Sequence, residues 1–282
     1  MSAKTKICAV LAAVLAAGSA AFCASAEGIG LQPVSAELEI APGARTRQVV
    51  TLANMDPARP VSVSLSLADW TLDETGTLLF GPAEETGESA AGWARFSPST
   101  LSLAPGQSKQ VMIDLAAPEP LERTGDYRFA LLASTVLRDE SGAWSKRQVA
   151  SLFYLTAGKA ASRPKITASR LTALDDGTPA IALDFSNPGN AHARLEGEIE
   201  IRDGDGTVQQ SVPVEALVVL NGARRQYIAP LGQPLPADAV IDVRLDNLFA
   251  PQKADETEAL PVHRVGREPD IVDIAAPVGG QY

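Results

Sequence analysis

The segment Trp93 to Leu115, WARFSPSTLSLAPGQSKQVMIDL, constrains the fold more than any other stretch of the chain. Apolar side chains alternate at Leu101 and Leu103, Ala104-Pro105-Gly106 interrupts them, and alternation resumes at Val111, Ile113 and Leu115. That is the period of two half-buried strands joined by a tight turn. Leu38 to Leu52, LEIAPGARTRQVVTL, repeats the same APG turn and the same basic-Gln-Val entry into the next strand. Such echoes suit a β-sandwich assembled from hairpins. Beyond the N-terminus no segment carries apolar residues at i, i+3, i+4 and i+7 over ten residues. The chain therefore reads as all-β, with two β-sandwich domains in tandem.

The N-terminus belongs to export rather than to the fold. Lys4 and Lys6 precede an apolar run from Ile7 to Phe22, and Ala24-Ser25-Ala26 has the A-x-A form of a cleavage site, so residues 1–26 read as a signal peptide. The run is too short to span a bilayer comfortably and no second one follows, so no membrane insertion of the mature chain is expected. Cys23 raises a lipoprotein alternative, but Phe22 stands where a small residue is needed. The chain's two cysteines, Cys8 and Cys23, both fall in this segment, so the mature protein is expected to lack disulfides, thiolate metal sites and a cysteine nucleophile. Without Lys4 and Lys6 it carries 22 basic against 34 acidic side chains, a formal charge of −12. Phosphate recognition needs clustered Lys and Arg, so nucleic acid is not an expected partner.

Residues 27–157 hold one series of short strands. Ile29 to Ile40 reads as an edge strand interrupted at Pro33, and Arg47 to Asn54 as the next. Val61 to Thr71 places Val61, Val63, Leu65 and Leu67 on one buried face. The polar loop Gly81 to Gly92 is the segment expected to be mobile. Tyr127 to Leu137 and Lys146 to Leu155 close the series through DESGAW. Ala157 to Pro164, AGKAASRP, has a linker's composition and sets the boundary of a second series, residues 158–265. Its strands are Lys165 to Leu171, Ala180 to Ser186, Ala193 to Arg202, Thr207 to Val212, Arg224 to Ala229, Val240 to Asn247 and Thr257 to His263. Residues 266–282 have no period and read as a disordered tail.

Candidate chemistry is sparse. His192 and His263 are the only histidines and lie in different strand contexts, too few for a metal centre without cysteines. Asp203-Gly204-Asp205-Gly206 resembles the start of a calcium loop, yet Val214 occupies the twelfth position where a bidentate Glu is required, and a hairpin turn explains the segment better. Asn187-Pro188-Gly189-Asn190 is read as an interstrand turn in preference to a ligand loop. No serine lies in G-x-S-x-G or S-x-x-K, and no partnered base accompanies one. Trp70, Trp93 and Trp144 are read as core or rim packing rather than as a ligand platform. No catalytic residue, metal ligand or cofactor is expected.

Taken in order, the residues resemble the periplasmic chaperones of pilus and fimbria assembly, the PapD-like family, over Gly30 to Leu155. The resemblance rests on a strand ending in Asn54, the Phe96-Ser97-Pro98 step before LSLAPGQSKQVMI, the Pro120 to Phe129 loop leading into YRFALL, and Ser151-Leu152-Phe153-Tyr154 at the end of the domain. In the second domain FSNPGNAHARLEGEIEI is broadly similar to the family's Asn-Pro-rich strand. The resemblance implies two immunoglobulin-like domains joined at an angle and a periplasmic location. It implies a last strand of the first domain that completes an exported, pilin-like subunit by strand addition, with an outer-membrane usher as a further partner. It also implies an Arg on the first strand and a Lys on the last that anchor the subunit's C-terminal carboxylate. Here Gln32 to Glu39 contains no Arg, and Ser151 stands where the Lys is expected. Lys146, Gln148 and Ala150 are not the bulky row that fills a pilin groove, so the anchor is not carried over.

The candidate partner-binding residues are accordingly Lys146, Gln148, Val149, Ala150, Ser151, Leu152 and Phe153, on an edge strand from Lys146 to Leu155. The expected function is that of a non-catalytic, chaperone-like protein of a surface-appendage system. The alternative is a structural or adhesive envelope protein built of β-sandwich modules.

Overall fold

The computed structural model describes residues 24–26, 28–138, 142–235, 239–249, 258–259 and 263–265. The expected signal peptide up to residue 23 and the expected tail from residue 266 lie outside them.

Strands β1 (Ala24–Ala26), β2 (Ile29–Gln32), β3 (Ser35–Ile40), β4 (Arg45–Asn54), β5 (Val61–Leu72), β6 (Leu78–Gly81), β7 (Ala94–Ser97), β8 (Thr100–Leu103), β9 (Ser108–Ala116), β10 (Gly125–Arg138) and β11 (Trp144–Ala157) come first. They form two sheets, one in the order β1-β2-β4-β9-β7, the other β3-β11-β10-β5-β6 with β8 beside β5. Inward residues of both sheets share one core, Val50, Leu52, Val111 and Ile113 from one side and Val63, Phe129, Leu131, Phe153 and Leu155 from the other. The rings of Phe129 and Phe153 stack at 4.6 Å, and burying each contributes about 2–3 kcal/mol. The Tyr127 hydroxyl donates to the Arg123 carbonyl at 2.7 Å, a tyrosine corner of the immunoglobulin type.

The two APG turns are not hairpins. β3 pairs with β11 and β4 with β2 and β9, while β8 pairs with β5 and β9 with β4 and β7. Each turn, with Gly43 and Gly106 at positive φ, lifts the chain from one sheet into the other. Alternation alone cannot separate these cases, because a hairpin and an arch both bury every second side chain in one core. The expected strand Ile29 to Ile40 likewise divides at Pro33, β2 joining one sheet and β3 the other.

The second sandwich contains β12 (Lys165–Ala173), β13 (Pro179–Ser186), β14 (Ala193–Arg202), β15 (Val208–Val219), β16 (Arg224–Pro230), β17 (Val240–Asn247), β18 (Glu258–Ala259) and β19 (His263–Val265). One sheet runs β12-β13-β16, the other β15-β14-β17-β18 with β19 also on β17. Ile181, Leu183 and Phe185 meet Leu195, Ile199, Val243 and Leu245 between them. Asp203-Gly204-Asp205-Gly206 is the β14–β15 turn: the Asp203 N–H donates to the Thr207 carbonyl at 3.0 Å, and the Asp203 carboxylate accepts the Thr207 N–H at 2.9 Å.

The loop Gly81 to Gly92, expected to be mobile, is anchored. Asp69 on β5 is 3% exposed, and its carboxylate accepts the N–H groups of Glu84, Glu85 and Thr86 at 3.3, 3.0 and 3.0 Å and the hydroxyls of Thr86 and Ser89. The loop's own polar composition hides this, since its partner lies on another strand. Asp69→Ala strands these donors and should lower stability by about 3 kcal/mol. Urea unfolding measures that loss, and limited proteolysis of the variant should begin within Gly81 to Gly92, where the wild type resists.

Candidate functional site

The candidate edge lies on β11, whose two halves differ. On one side β11 pairs with β10 over its whole length, Trp144 to Ala157. On the other, β3 runs parallel to it only from Leu152 to Ala157. Among the described residues no strand pairs with Trp144 to Ser151 on that side. The Leu152 N–H donates to the Val34 carbonyl at 2.8 Å. Backbone groups of successive residues point to opposite edges of a strand, so the N–H and C=O groups of Lys146, Gln148 and Ala150 face the open side while those of Arg147 and Val149 face β10.

The seven candidate residues therefore separate. Lys146 and Gln148 are exposed and Ala150 half-buried. The Gln148 amide donates to the Ser134 hydroxyl at 2.9 Å. Val149 is buried in the core. Ser151 is also buried, its hydroxyl donating to the Pro33 carbonyl at 2.7 Å. Leu152 and Phe153 are not on the free edge, the first because its N–H is used by Val34, the second because it packs on Phe129. Trp144, 69% exposed, marks the start of the edge, with the Arg138 guanidinium 5.8 Å from its ring centre. Trp70 and Trp93 pack inside instead, Trp70 on Tyr154 and Trp93 on Tyr127.

Beyond this edge the outer face of the same sheet is covered. Ala68, Trp70, Ala130, Leu132 and Tyr154 form a cluster with Leu220, and Val218 and Ala223 pack against it. Thus β5, β10 and β11 bury apolar side chains on both faces, the outer one against the turn between β15 and β16. Arg128 crosses this seam, donating to the Trp70 carbonyl at 2.9 Å and the Asn221 amide oxygen at 3.1 Å. It is also ion-paired with Glu88. Nearby, His192 and Asp126 are 1% and 2% exposed. The Asp126 carboxylate accepts the His192 backbone N–H and its Nδ1–H, each at 2.6 Å. His192 Nε2 stands 3.7 Å from Glu37, which is paired with Arg194. His192 and then Arg194 hold the Glu37 carboxyl at about 2, against the pull of burial.

Asn187 and Asn190 clasp the stretch between the sandwiches. The Asn187 side-chain oxygen accepts the Arg163 N–H at 2.9 Å, and that of Asn190 accepts the Ala161 N–H at 2.7 Å. The Asn190 amide donates to the carbonyls of Thr124 and Lys159 at 3.1 and 3.0 Å, and its own carbonyl accepts the Asp126 N–H at 2.8 Å. Composition marked the turn and the linker separately. Their pairing is long-range, and so are the partners of His192, which the sequence offers only as one of two isolated histidines. Among the described residues no group of three His, Cys, Asp or Glu side chains is placed to hold a metal, and no helix is long and apolar enough to cross a membrane.

The clasp depends on a close approach. Gly125 has φ +110°, and a Cβ there would lie 2.2 Å from the Asn190 carbonyl oxygen. Gly125→Ala should cost at least about 2 kcal/mol through strain and collision. In contrast, Gly106→Ala meets no neighbouring atom within 4 Å and carries only the strain of its turn. Paired thermal denaturation curves should rank the two variants in that order.

No protein-family model matches the chain, and no curated protein matches it. Among solved structures it is similar to the class 5 fimbriae chaperone CfaA, with a TM-score of 0.43 at 10% identity over 82% of this chain and 97% of that one. It is similar to the YadV chaperone, with a TM-score of 0.44 at 10% identity over 84% of this chain and 100% of that one. For the Salmonella enterica SafA pilin in complex with the SafB chaperone, the TM-score is 0.40 at 12% identity over 86% of this chain and 97% of that one.

Proposed function

We propose that the protein is a non-catalytic, periplasmic, chaperone-like binder of exported, pilin-like subunits, and that it holds a subunit by adding one of its strands to β11 between Trp144 and Ala150. One observation carries this reading: the outward N–H and C=O groups of Lys146, Gln148 and Ala150 have no ladder partner among the described residues, because β3 begins only opposite Leu152. Such an edge pairs with an added strand whatever its side chains are. The small or flexible side chains at 146, 148 and 150 place selectivity in a few apolar contacts. Exposed Val136 and Trp144 at the far end of the β10–β11 pair supply two of them. We place the mature first domain at residues 27–157 and the second at 158–265.

The test uses the subunit captured from periplasm by the tagged protein. Ala150→Pro removes an outward N–H and should weaken binding roughly ten- to a hundredfold while leaving the fold intact. Val149→Pro removes an N–H that faces β10, so its effect should be on stability, by about 3 kcal/mol. Ser151→Ala should leave affinity unchanged and lower stability by about 1 kcal/mol, the worth of the bond to Pro33. Affinity is measured by calorimetry and folding by circular dichroism. Full binding by folded Ala150→Pro would move the site into the groove between the sandwiches, and failure to capture any exported subunit would favour an envelope building block.

A further inference from the structure

We propose that the cluster Asp126, His192, Glu37 and Arg194 is a proton-operated latch that tightens the junction between the two sandwiches when His192 is charged and loosens it when His192 is neutral. The geometry is asymmetric. Asp126 on β10 and Glu37 on β3 belong to the first sandwich, whereas Arg194 on β14 and His192, just before it, belong to the second. His192 Nδ1–H is held by Asp126 at 2.6 Å, and Nε2 lies 3.7 Å from a Glu37 oxygen without a hydrogen-bond partner. Charged imidazole carries a proton on both nitrogens and is attracted to a carboxylate of the first sandwich on each. Neutral imidazole keeps its proton on Nδ1, donated to Asp126, and turns the Nε2 lone pair towards Glu37.

Charge balance points the same way. Two carboxylates face one guanidinium, so the cluster is neutral with His192 charged and carries one uncompensated negative charge otherwise. Among the described residues, the remaining groups packed on the imidazole supply no substitute cation. Tyr154 on β11 lies 4.6 Å away, ring to ring; burial pushes its hydroxyl up to about 12, so it stays neutral. Phe249 lies 4.9 Å away on the other side. Thr156 donates its hydroxyl to Asp126 at 2.9 Å, and Arg128 on β10 is taken up by Glu88. Burial pushes the imidazole down, and the hydrogen bond with Asp126 together with the nearby carboxylate charge of Glu37 outweighs it, so its pKa is raised above the ordinary 6.5. A raised folded-state pKa means that the stabilisation is fully present below about pH 6.5 and is lost as pH rises through the folded-state value.

The experiment needs no binding partner. His192 and His263 are the only histidines, so imidazole resonances of the wild type, assigned with His263→Gln, give the His192 midpoint directly. Small-angle scattering and thermal unfolding are followed from pH 5 to 9 for the wild type and for His192→Gln, whose amide can still donate to Asp126. A wild-type thermal midpoint that falls by a few degrees across the His192 titration, with a scattering profile that broadens over the same range and a His192→Gln variant flat in both, is the expected result. A His192 that stays neutral at pH 5, or wild-type curves with no change at its titration, would overturn the latch. Should His192→Gln fail to fold, coincidence of the wild-type scattering and imidazole midpoints decides the matter alone.

Discussion

Burial of the outer face of β5, β10 and β11 against the β15–β16 turn is the contact on which the rest of the architecture depends. A sandwich strand ordinarily has one wet face. Here Trp70, Leu132 and Tyr154 cover Leu220 on one face while Phe129, Leu131 and Phe153 fill the core on the other. Because that second face is dry, the polar groups placed in it need partners, which is why Arg128 and Asp126 find theirs on the second sandwich. The apolar contact and the charged ones are thus one device.

The same sheet explains where the chain is open. The strand β3 is short and enters beside β11 only after the crossover at Pro33, so half of β11 is a fully paired interior strand and half is an edge. Natural sheets protect edges with charge, twist or cover. This one carries Lys146 and Gln148 on its exposed row and Trp144 at its start, a surface that stays soluble while leaving its backbone available.

Strand positions were legible in the sequence because period-two burial is a local signal. Val61, Val63 and Leu65 read correctly, and the Asp-Gly turn after Arg202 did too. What the pattern did not carry was which strand pairs with which: both APG turns read as hairpins and are arches, since the core-facing period is the same in each. The run Ala68-Asp69-Trp70 broke its own alternation for a reason 150 residues away, the cover supplied by Leu220. The candidate edge was legible as a strand, but the loss of Leu152 and Phe153 to β3 and the core depends on a register that only the folded chain fixes. The buried carboxylate–imidazole pair of Asp126 and His192 left no mark, as its members stand 66 positions apart.

The point at which β3 begins acts as a ruler. On the proposed reading, a guest strand advancing along β11 would be stopped where Leu152 already holds Val34, so the length open to it runs from Trp144 to Ala150, about 23 Å at the rise of a strand. Four residues, Trp144, Lys146, Gln148 and Ala150, would face it, and each offers one donor and one acceptor, which caps the ladder at about eight hydrogen bonds. Longer guests gain no further rungs. An edge of this length would thereby favour short extended segments.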